Sequence, residues 1–514
     1  MTLQLNTTNL PAIAAASGAA VPTYDRSQVT PGIVHFGVGG FHRAHQALYL
    51  DTLMNAGRAL DFGIIGMGVM PSDVRMRDAL AGQDHLYTLT TKAPDGTQEQ
   101  RIIGSIIDYV FTPEDPAAAV AVLSDPAIRI VSLTVTEGGY NIDPATGEFA
   151  HGNPRTAADR VILQQALGQG TLEGNAPLQT FFGFITAALM ARRDAGTAPF
   201  TIMSCDNIQG NGELAKKFFL AFATSITPEL GAWVAENVHF PNSMVDRITP
   251  ETIDEDRTDI RATGYEDAWP VVAEDFTQWV LEDSFTGGPA GRPAYEEVGV
   301  QVVEDVEPYE LMKLRLLNAS HQGLCYFAHL AGHHMVHDVM ADQRFREFLL
   351  AYMEREGTPT LRALPDVDLD AYRHQLIARF GNAAVKDTVP RLCAESSDRI
   401  PKWLLPVVRE NLAAGGEVAL SAAIVASWAR YAEGVDEQGQ PITVVDQLAQ
   451  RVQENASHNH EDILAFLRDR GLFGDLIDSP EFTRAYAETL NSLHEHGAEA
   501  TLDALLAKSS AQSA

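Results

Sequence analysis

Basic residues are scarce in this chain. Lys and Arg number 37 against 68 Asp and Glu in 514 residues, a formal net charge of −31. A surface of that sign repels a phosphate backbone, so nucleic acid is not an expected partner. A single bound dinucleotide remains compatible, because a few backbone N–H groups at a helix start make a local anion site. Cysteine is scarcer still, with only Cys205, Cys325 and Cys393. Three thiols far apart in sequence, without C-x-x-C spacing, support neither a disulfide framework nor a structural zinc site. They predict reduced thiols in a cytoplasmic protein. Long apolar runs are missing too. The stretches 181–191 and 419–429 fall far short of the roughly 20 residues that span a bilayer, so no membrane partner is expected. The Ala-rich segment 12–20 has no Lys or Arg before Arg26, unlike a secretory leader.

What is present is ordinary globular material, with 45% hydrophobic and 20% charged residues. The length suits two to four domains. Short β-branched runs at 33–36, 62–69, 128–135 and 200–204 read as buried strands. Helical patterns at 42–54 and 176–193 separate them, which predicts parallel βαβ units. Two further alternating runs, 86–91 and 101–111, are expected to pair as an antiparallel annex. Pro11, Gly18 and Pro22 interrupt the first thirty residues, which read as a loose arm. Gly and Pro crowd 286–293, and strand-like runs become scarce beyond them. From Pro308 onward the chain is rich in Leu, Ala, Glu and Arg. The reading is therefore α/β: a dinucleotide-binding domain over 1–297 and a mainly α-helical domain over 298–514.

Gly37-Val38-Gly39-Gly40-Phe41-His42-Arg43 closes the first strand and opens a helix. In a dinucleotide-binding turn the first glycine permits the tight bend and the second lets backbone approach a pyrophosphate, which the helix start then faces. His42 stands where the third glycine of G-x-G-x-x-G belongs, and the same residues also suit a plain strand–helix turn. The candidate cofactor stretch comprises Ile33, Val34, His35, Phe36, Gly37, Val38, Gly39, Gly40, Phe41, His42, Arg43 and Ala44. After the second strand, Asp73 is placed to bind adenosine ribose hydroxyls, favouring NAD over NADP. Capping the helix around residues 76–80 is its alternative role, and Arg75 and Arg77 leave NADP open.

The segment from Tyr309 to His321 has helical character and apolar surroundings. With Lys313 at the origin and about 100° per residue, Glu310 falls at roughly 60°, His321 at roughly 80° and Asn318 at roughly 140°. Burial disfavours the charged form of a lysine and prepares it as a base near neutral pH. An asparagine can donate to a developing alkoxide without titrating. A histidine can orient a hydroxyl, and Glu310 can pass the proton outward. A core helix with a snorkelling lysine is the plain alternative.

On these residues the chain resembles the mannitol dehydrogenase family, the long-chain polyol-specific dehydrogenases and reductases, over nearly its whole length. The marks are the run from Gly37 to Gln46, Thr136-Glu137-Gly138-Gly139-Tyr140, Ser204-Cys205-Asp206-Asn207, Val245-Asp246-Arg247-Ile248-Thr249-Pro250, and Lys313 to His321 as K-x-x-x-x-N-x-x-H. His42 in place of a third glycine matches the family's own variant. The resemblance implies a metal-independent, monomeric enzyme with an N-terminal Rossmann-type domain, a helical C-terminal domain and an active site in the cleft between them. It implies NAD-dependent oxidation of D-mannitol at C2 to D-fructose, reversibly. Lys313 would be the base, Asn207 and Asn318 the oxyanion pair, His321 the orienting group and Glu310 the proton gate. Asp246, Arg391, Arg399 and Lys402 are candidates for substrate contacts, and Glu137 for a site role. His35 and His45 are expected to be structural or helix-surface residues, and His333, His334 and His337 a solvated helix end. Sibling activities stay open: D-arabinitol or sorbitol oxidation, or reduction of a uronate such as fructuronate, whose carboxylate Arg391 or Arg399 would meet. A non-catalytic dinucleotide sensor is the rival of a different class.

Overall fold

Residues 2–143, 146–169, 176–364 and 366–512 are described by a computed structural model of the chain. It divides into two compact units, Met1–Ala93 with Thr97–Glu307, and Pro94–Gly96 with Pro308–Ala514.

The first unit is built on five parallel strands: β1 (Pro31–Phe36), β2 (Gly63–Gly68), β3 (Ile106–Phe111), β4 (Ile130–Leu133) and β5 (Thr201–Ser204). Their spatial order is β3-β2-β1-β4-β5. The order reverses beside β1, which makes the carboxyl ends of β1 and β4 the crevice where open α/β sheets take ligands. Strand periodicity sends alternate residues to opposite faces. Val34, Phe36, Ile65, Met67, Val131, Leu133 and Ile202 meet the helices Phe181–Ala195 and Asn211–Ile226. Ile33, Ile64, Ile130 and Met203 meet the helix Gln46–Asn55 and the aromatic residues Tyr87 and Trp279. With both faces covered, the strands read as near-continuous apolar runs, which is why the sequence disclosed them.

Smaller sheets flank this one. Tyr87–Lys92 pairs antiparallel with Gln98–Ile103 and parallel with Val271–Glu274. The expected annex is thus only half of the run 101–111. The chain leaves its hairpin at Gly104, where the Asp51 carboxylate accepts the amide N–H at 3.0 Å and Arg26 Nε donates to the carbonyl at 3.1 Å. Residues 106–111 then continue as β3 in the parallel sheet. A third sheet orders Gln301–Val303, Gln278–Glu282 and Ser243–Asp246.

The N-terminal segment is not a loose arm. Leu3–Gln4 pairs with Tyr265–Glu266, and Leu10–Ser17 is a helix. Pro11 sits in its first turn, where a missing N–H is harmless, and Gly18 closes it in the left-handed conformation at φ 74. Leu5, Leu10 and Ile13 pack with Leu86, Ile102, Ile260 and Tyr265. The punctuating residues marked the ends of this helix rather than its absence. Similarly, 176–193 becomes a helix only from Phe181, because Thr180 accepts the Gly183 N–H as its cap.

The second unit is helical. Ala419–Ala432, almost wholly buried, runs beside Ala319–Leu330 and Pro480–Gln512. Its Trp428 is enclosed by Phe466 at 4.9 Å and Phe473 at 5.8 Å between ring centres. Cys325 and Cys393, distant in sequence, come within hydrogen-bonding reach as buried free thiols. Among the described residues no helix is long and apolar enough to cross a membrane.

Candidate active site

The turn after β1 is shaped by one glycine that cannot be replaced and one that leaves room. Gly37 has φ +92, and a Cβ there would lie 2.0 Å from the Thr134 carbonyl oxygen at the end of β4. Gly39 is exposed, and a Cβ on it would meet nothing closer than the Gly37 oxygen at 3.8 Å. The turn is braced from beneath. Thr134 Oγ1 donates to the Gly37 oxygen at 2.6 Å, and His35 Nε2 lies 2.9 Å from that hydroxyl. His35 Nδ1 meets Ser132 Oγ at 2.8 Å. The ring of His42 lies flat on His35, centroids 3.4 Å apart. This stack fills the place that a third glycine would vacate for strand–helix packing. Burial drives His35 down to about 3 and His42 well below the ordinary imidazole value, so both are neutral packing groups.

The predicted cofactor stretch therefore splits. The side chains of Ile33, Val34, His35, Phe36, His42, Arg43 and Ala44 are sealed in the interior. Arg43 donates to the Trp269 oxygen at 2.5 Å, faces the Tyr87 ring at 5.2 Å, and is lowered by burial to about 10. The part open to a phosphate is backbone, from Gly37 through Val38, Gly39 and Gly40 to the half-buried Phe41. The predicted continuous helix 42–54 is in fact Gly40–Ala44 and Gln46–Asn55, broken at His45 (φ −125, ψ −93). His45 is no surface residue: its ring packs against Phe41 and Trp279, and Nε2 lies 2.9 Å from the Gln278 oxygen. Asp73, half-buried past the end of β2, accepts the Met70 N–H at 2.9 Å and makes no cap bond to the following helix. An exposed glycine, a fixed bend and a carboxylate one strand away fit an adenine dinucleotide.

At the neighbouring strand ends, Asp206 is a residue whose role the sequence reading missed. Its buried carboxylate accepts the Thr136 N–H at 2.7 Å and the Tyr140 hydroxyl at 2.8 Å. Thr136 is held at φ +61, a conformation unusual for a β-branched residue. Asp206 thus ties the loop after β4, which carries exposed Glu137, to the loop after β5, which carries exposed Asn207. A buried acid beside a strand end was the available signal. Asp246, buried at the end of its strand, pairs in register with Gln278.

In the second unit the segment around Lys313 is not uniform α-helix. Glu307–Met312 is α-helical, Lys313–Asn318 forms a π-helix, and Ala319–Leu330 resumes the α-helix. The Ala319 N–H bonds back to the Leu314 oxygen, five residues earlier. Such turns recur at functional positions. The widened turn carries an extra residue, so the angle between Lys313 and Asn318 is smaller than the roughly 140° that a regular wheel of about 100° per residue gives. Lys313, Glu310 and Asn318 are all buried, at 6%, 6% and 5% exposure. A second π turn, Met353–Gly357, packs against the first: Tyr352 Oη donates to the Arg315 oxygen at 3.0 Å. A Cβ on Gly357 would lie 2.8 Å from Leu316 Cδ2. Glu356 of that second turn is fully buried and accepts from the N–H groups of Leu420 and Ser421 at 2.6 and 2.7 Å.

His321 packs its ring 4.7 Å from Phe380. Burial, helped by the Arg391, Arg379 and Arg399 charges, lowers it to about 3. The candidate substrate cations are engaged: Arg391 with Asp387 through two bonds of 2.6 Å, Lys402 with Asp398 at 2.7 Å. Arg399 Nη1 donates to the Leu392 oxygen at 3.1 Å. His333, His334 and His337 lie past the end of Ala319–Leu330, with His334 exposed and the other two partly so.

Comparison with known proteins shows the family. Residues 31–295 match the mannitol dehydrogenase Rossmann domain and residues 305–494 the mannitol dehydrogenase C-terminal domain. A mannitol 2-dehydrogenase of Phaeosphaeria nodorum is 44% identical over 506 residues, 98% of this chain and 85% of the relative. One from Aspergillus fumigatus is 44% identical over 97% of this chain and 98% of its own. The solved ternary complex of Pseudomonas fluorescens mannitol 2-dehydrogenase with NAD and D-mannitol superposes with a TM-score of 0.83 at 43% identity, covering 98% of this chain and all of that one. A D-sorbitol dehydrogenase in substrate-free form gives a TM-score of 0.87 at 36% identity, covering 97% of this chain and all of that one.

Proposed function

Since the chain belongs to the mannitol dehydrogenase family, we propose that it oxidises D-mannitol at C2 to D-fructose with NAD, reversibly, a reading supported by relatives named mannitol 2-dehydrogenase, one of them solved with NAD and D-mannitol. The observation that supports the reading is that Lys313 and Asn318 are buried at the two ends of one π-helical segment. Bound nicotinamide would supply the hydride acceptor. Lys313, neutral in the reactive form, takes the proton of the C2 hydroxyl. Asn207 and Asn318 donate to the oxygen as its charge grows, a stabilisation that acts most strongly on the transition state. His321, held neutral, orients the hydroxyl, and Glu310 carries the proton away from the lysine. Gly37–Phe41 and Asp73 hold the dinucleotide, and Asp246, Arg399 and Lys402 contact the polyol. No step of this sequence calls for a metal ion.

A neutral polyol is favoured over a uronate, because the charges of Arg391 and Lys402 are already paired with Asp387 and Asp398. A second reading, D-sorbitol as the preferred polyol, is supported by the D-sorbitol dehydrogenase relative. Initial rates of oxidation of mannitol, sorbitol and arabinitol with NAD⁺ or NADP⁺, and of reduction of fructose and fructuronate with NADH or NADPH, test both. Mannitol with NAD is expected to give the highest kcat/KM. Highest activity on fructuronate, or dinucleotide binding without turnover of any of these substrates, would overturn the reading.

A further inference from the structure

Far along the chain from the lysine turn, in the same helical unit, three side chains from separate segments converge. Glu433 caps the C-terminal end of Ala419–Ala432, His460 lies in the turn after Ala449–Ser457, and His494 belongs to Pro480–Gln512. His494 Nε2 is 2.9 Å from Glu433 Oε1, and His460 Nε2 is 3.8 Å from Oε2. The two imidazoles stack with centroids 4.3 Å apart. All three prospective ligand atoms fall within 4.8 Å of one another, the one such group of His, Cys, Asp and Glu among the described residues. We propose that Glu433, His460 and His494 form a binding site for a borderline divalent cation of the zinc class, outside the alcohol chemistry.

Two imidazoles and one carboxylate select Zn²⁺, Co²⁺ or Ni²⁺ over Mg²⁺ and Ca²⁺, which want oxygen alone. Tetrahedral bonds of about 2.0–2.1 Å put ligand atoms roughly 3.3 Å apart. Two of the three ligands are already held by the fold: the Glu433 and His494 side chains are 9% and 15% exposed, whereas His460 is 70% exposed. His460 is therefore the group free to close on the ion. The carboxylate is oriented from behind, as ligating carboxylates are: Asn459 Nδ2 donates to Oε1 at 2.9 Å and Arg430 Nη1 approaches Oε2 at 3.3 Å. Arg430 opposes the cation, yet Nη1 also donates to the Val435 oxygen at 2.7 Å, which keeps the guanidinium placed when the carboxylate turns to metal. Water completes the fourth position. Glycine breaks the last helix at residue 497, with φ 80 and ψ 178, three residues past His494. A bound ion would clasp this end of the helix to Glu433 and to the turn at 460.

The test uses the full-length protein, stripped with chelator and dialysed. Zn²⁺ titration by calorimetry should give one tight equivalent, Co²⁺ should develop visible ligand-field absorption, and Zn²⁺ should raise the unfolding midpoint. His460→Ala changes an exposed side chain and leaves the fold intact. It should weaken that equivalent beyond the about 10–100-fold typical of outer-sphere changes and abolish the Co²⁺ band. Glu433→Gln and His494→Gln should do the same. Wild-type protein with no Co²⁺ band, or His460→Ala binding Zn²⁺ as tightly as wild type, overturns the proposal. Neither readout depends on alcohol turnover, so the site and the proposed activity fail independently.

Discussion

Lys313 and Asn318 stand at the two ends of one π-helical segment, five residues apart, and both are buried. The wide turn is retained although it breaks the regular i→i+4 ladder, and it is shored up by a second π turn through Tyr352 and Gly357. If Lys313 is the base, Lys313→Ala should lower turnover by about 10² or more and leave NADH binding intact. Steady-state oxidation beside an NADH fluorescence titration checks this. Near-normal mannitol oxidation at neutral pH would remove Lys313 from the chemistry.

The carboxamides are expected to act on developing charge. Asn318→Ala and Asn207→Ala should each reduce kcat by about 10²–10³, with KM changing far less. A loss confined to KM would mean that they hold substrate in the ground state only.

Gly37 and Gly39 separate folding from binding. Gly37→Ala drives a methyl to 2.0 Å from the Thr134 oxygen, in a backbone region that alanine disfavours, and should abolish soluble expression or cooperative unfolding. Gly39→Ala meets only open space, so its stability should change by less than about 1 kcal/mol. Its methyl stands where a pyrophosphate would approach, and NADH affinity should fall at least about tenfold. Unchanged affinity in a well-folded Gly39→Ala protein would move the dinucleotide elsewhere.

The pH profile carries a further expectation. Burial and surrounding guanidinium groups hold His321 down to about 3. It is therefore neutral throughout the working range and contributes no inflection to log kcat/KM above pH 5. His321→Gln should lower the whole curve and leave its shape unchanged. A limb near neutrality that disappears in this variant would show that the histidine titrates in the reaction.

The parallel sheet was legible because its strands are buried on both faces, and the glycine turn because backbone geometry there demands glycine. The unlegible parts have physical causes. A π turn differs from an α turn by one residue, and a single sequence with a uniform helical period does not reveal it. His42 departs from the glycine fingerprint by spacing alone and fits only through the family resemblance, since its place is to stack on His35, which takes part in the same turn from the strand beneath. Asp206 and Glu356 carry no separate signal in the sequence, because what defines them is the backbone amides they accept from remote segments. The Glu433, His460 and His494 group draws on three stretches of sequence and has no ligand spacing to find.

Glu356 gives the last prediction, on stability. It is fully buried, and burial raises its carboxyl from the ordinary 4.5 to about 7, against the opposing bonds from Ser421 and Leu420. A raised acid binds more protons folded than unfolded across that window. Its stabilising contribution is complete below about pH 4.5 and is lost as the pH climbs through about 7, by an amount of order 3 kcal/mol. Glu356→Gln keeps a neutral acceptor in place and removes the titration. Urea midpoints of the two proteins between pH 5 and 8 should therefore converge or cross, the wild type losing stability more steeply. Parallel curves would mean that the unfolded and folded chains titrate this carboxyl alike, and that its junction with Leu420 and Ser421 is held by packing instead.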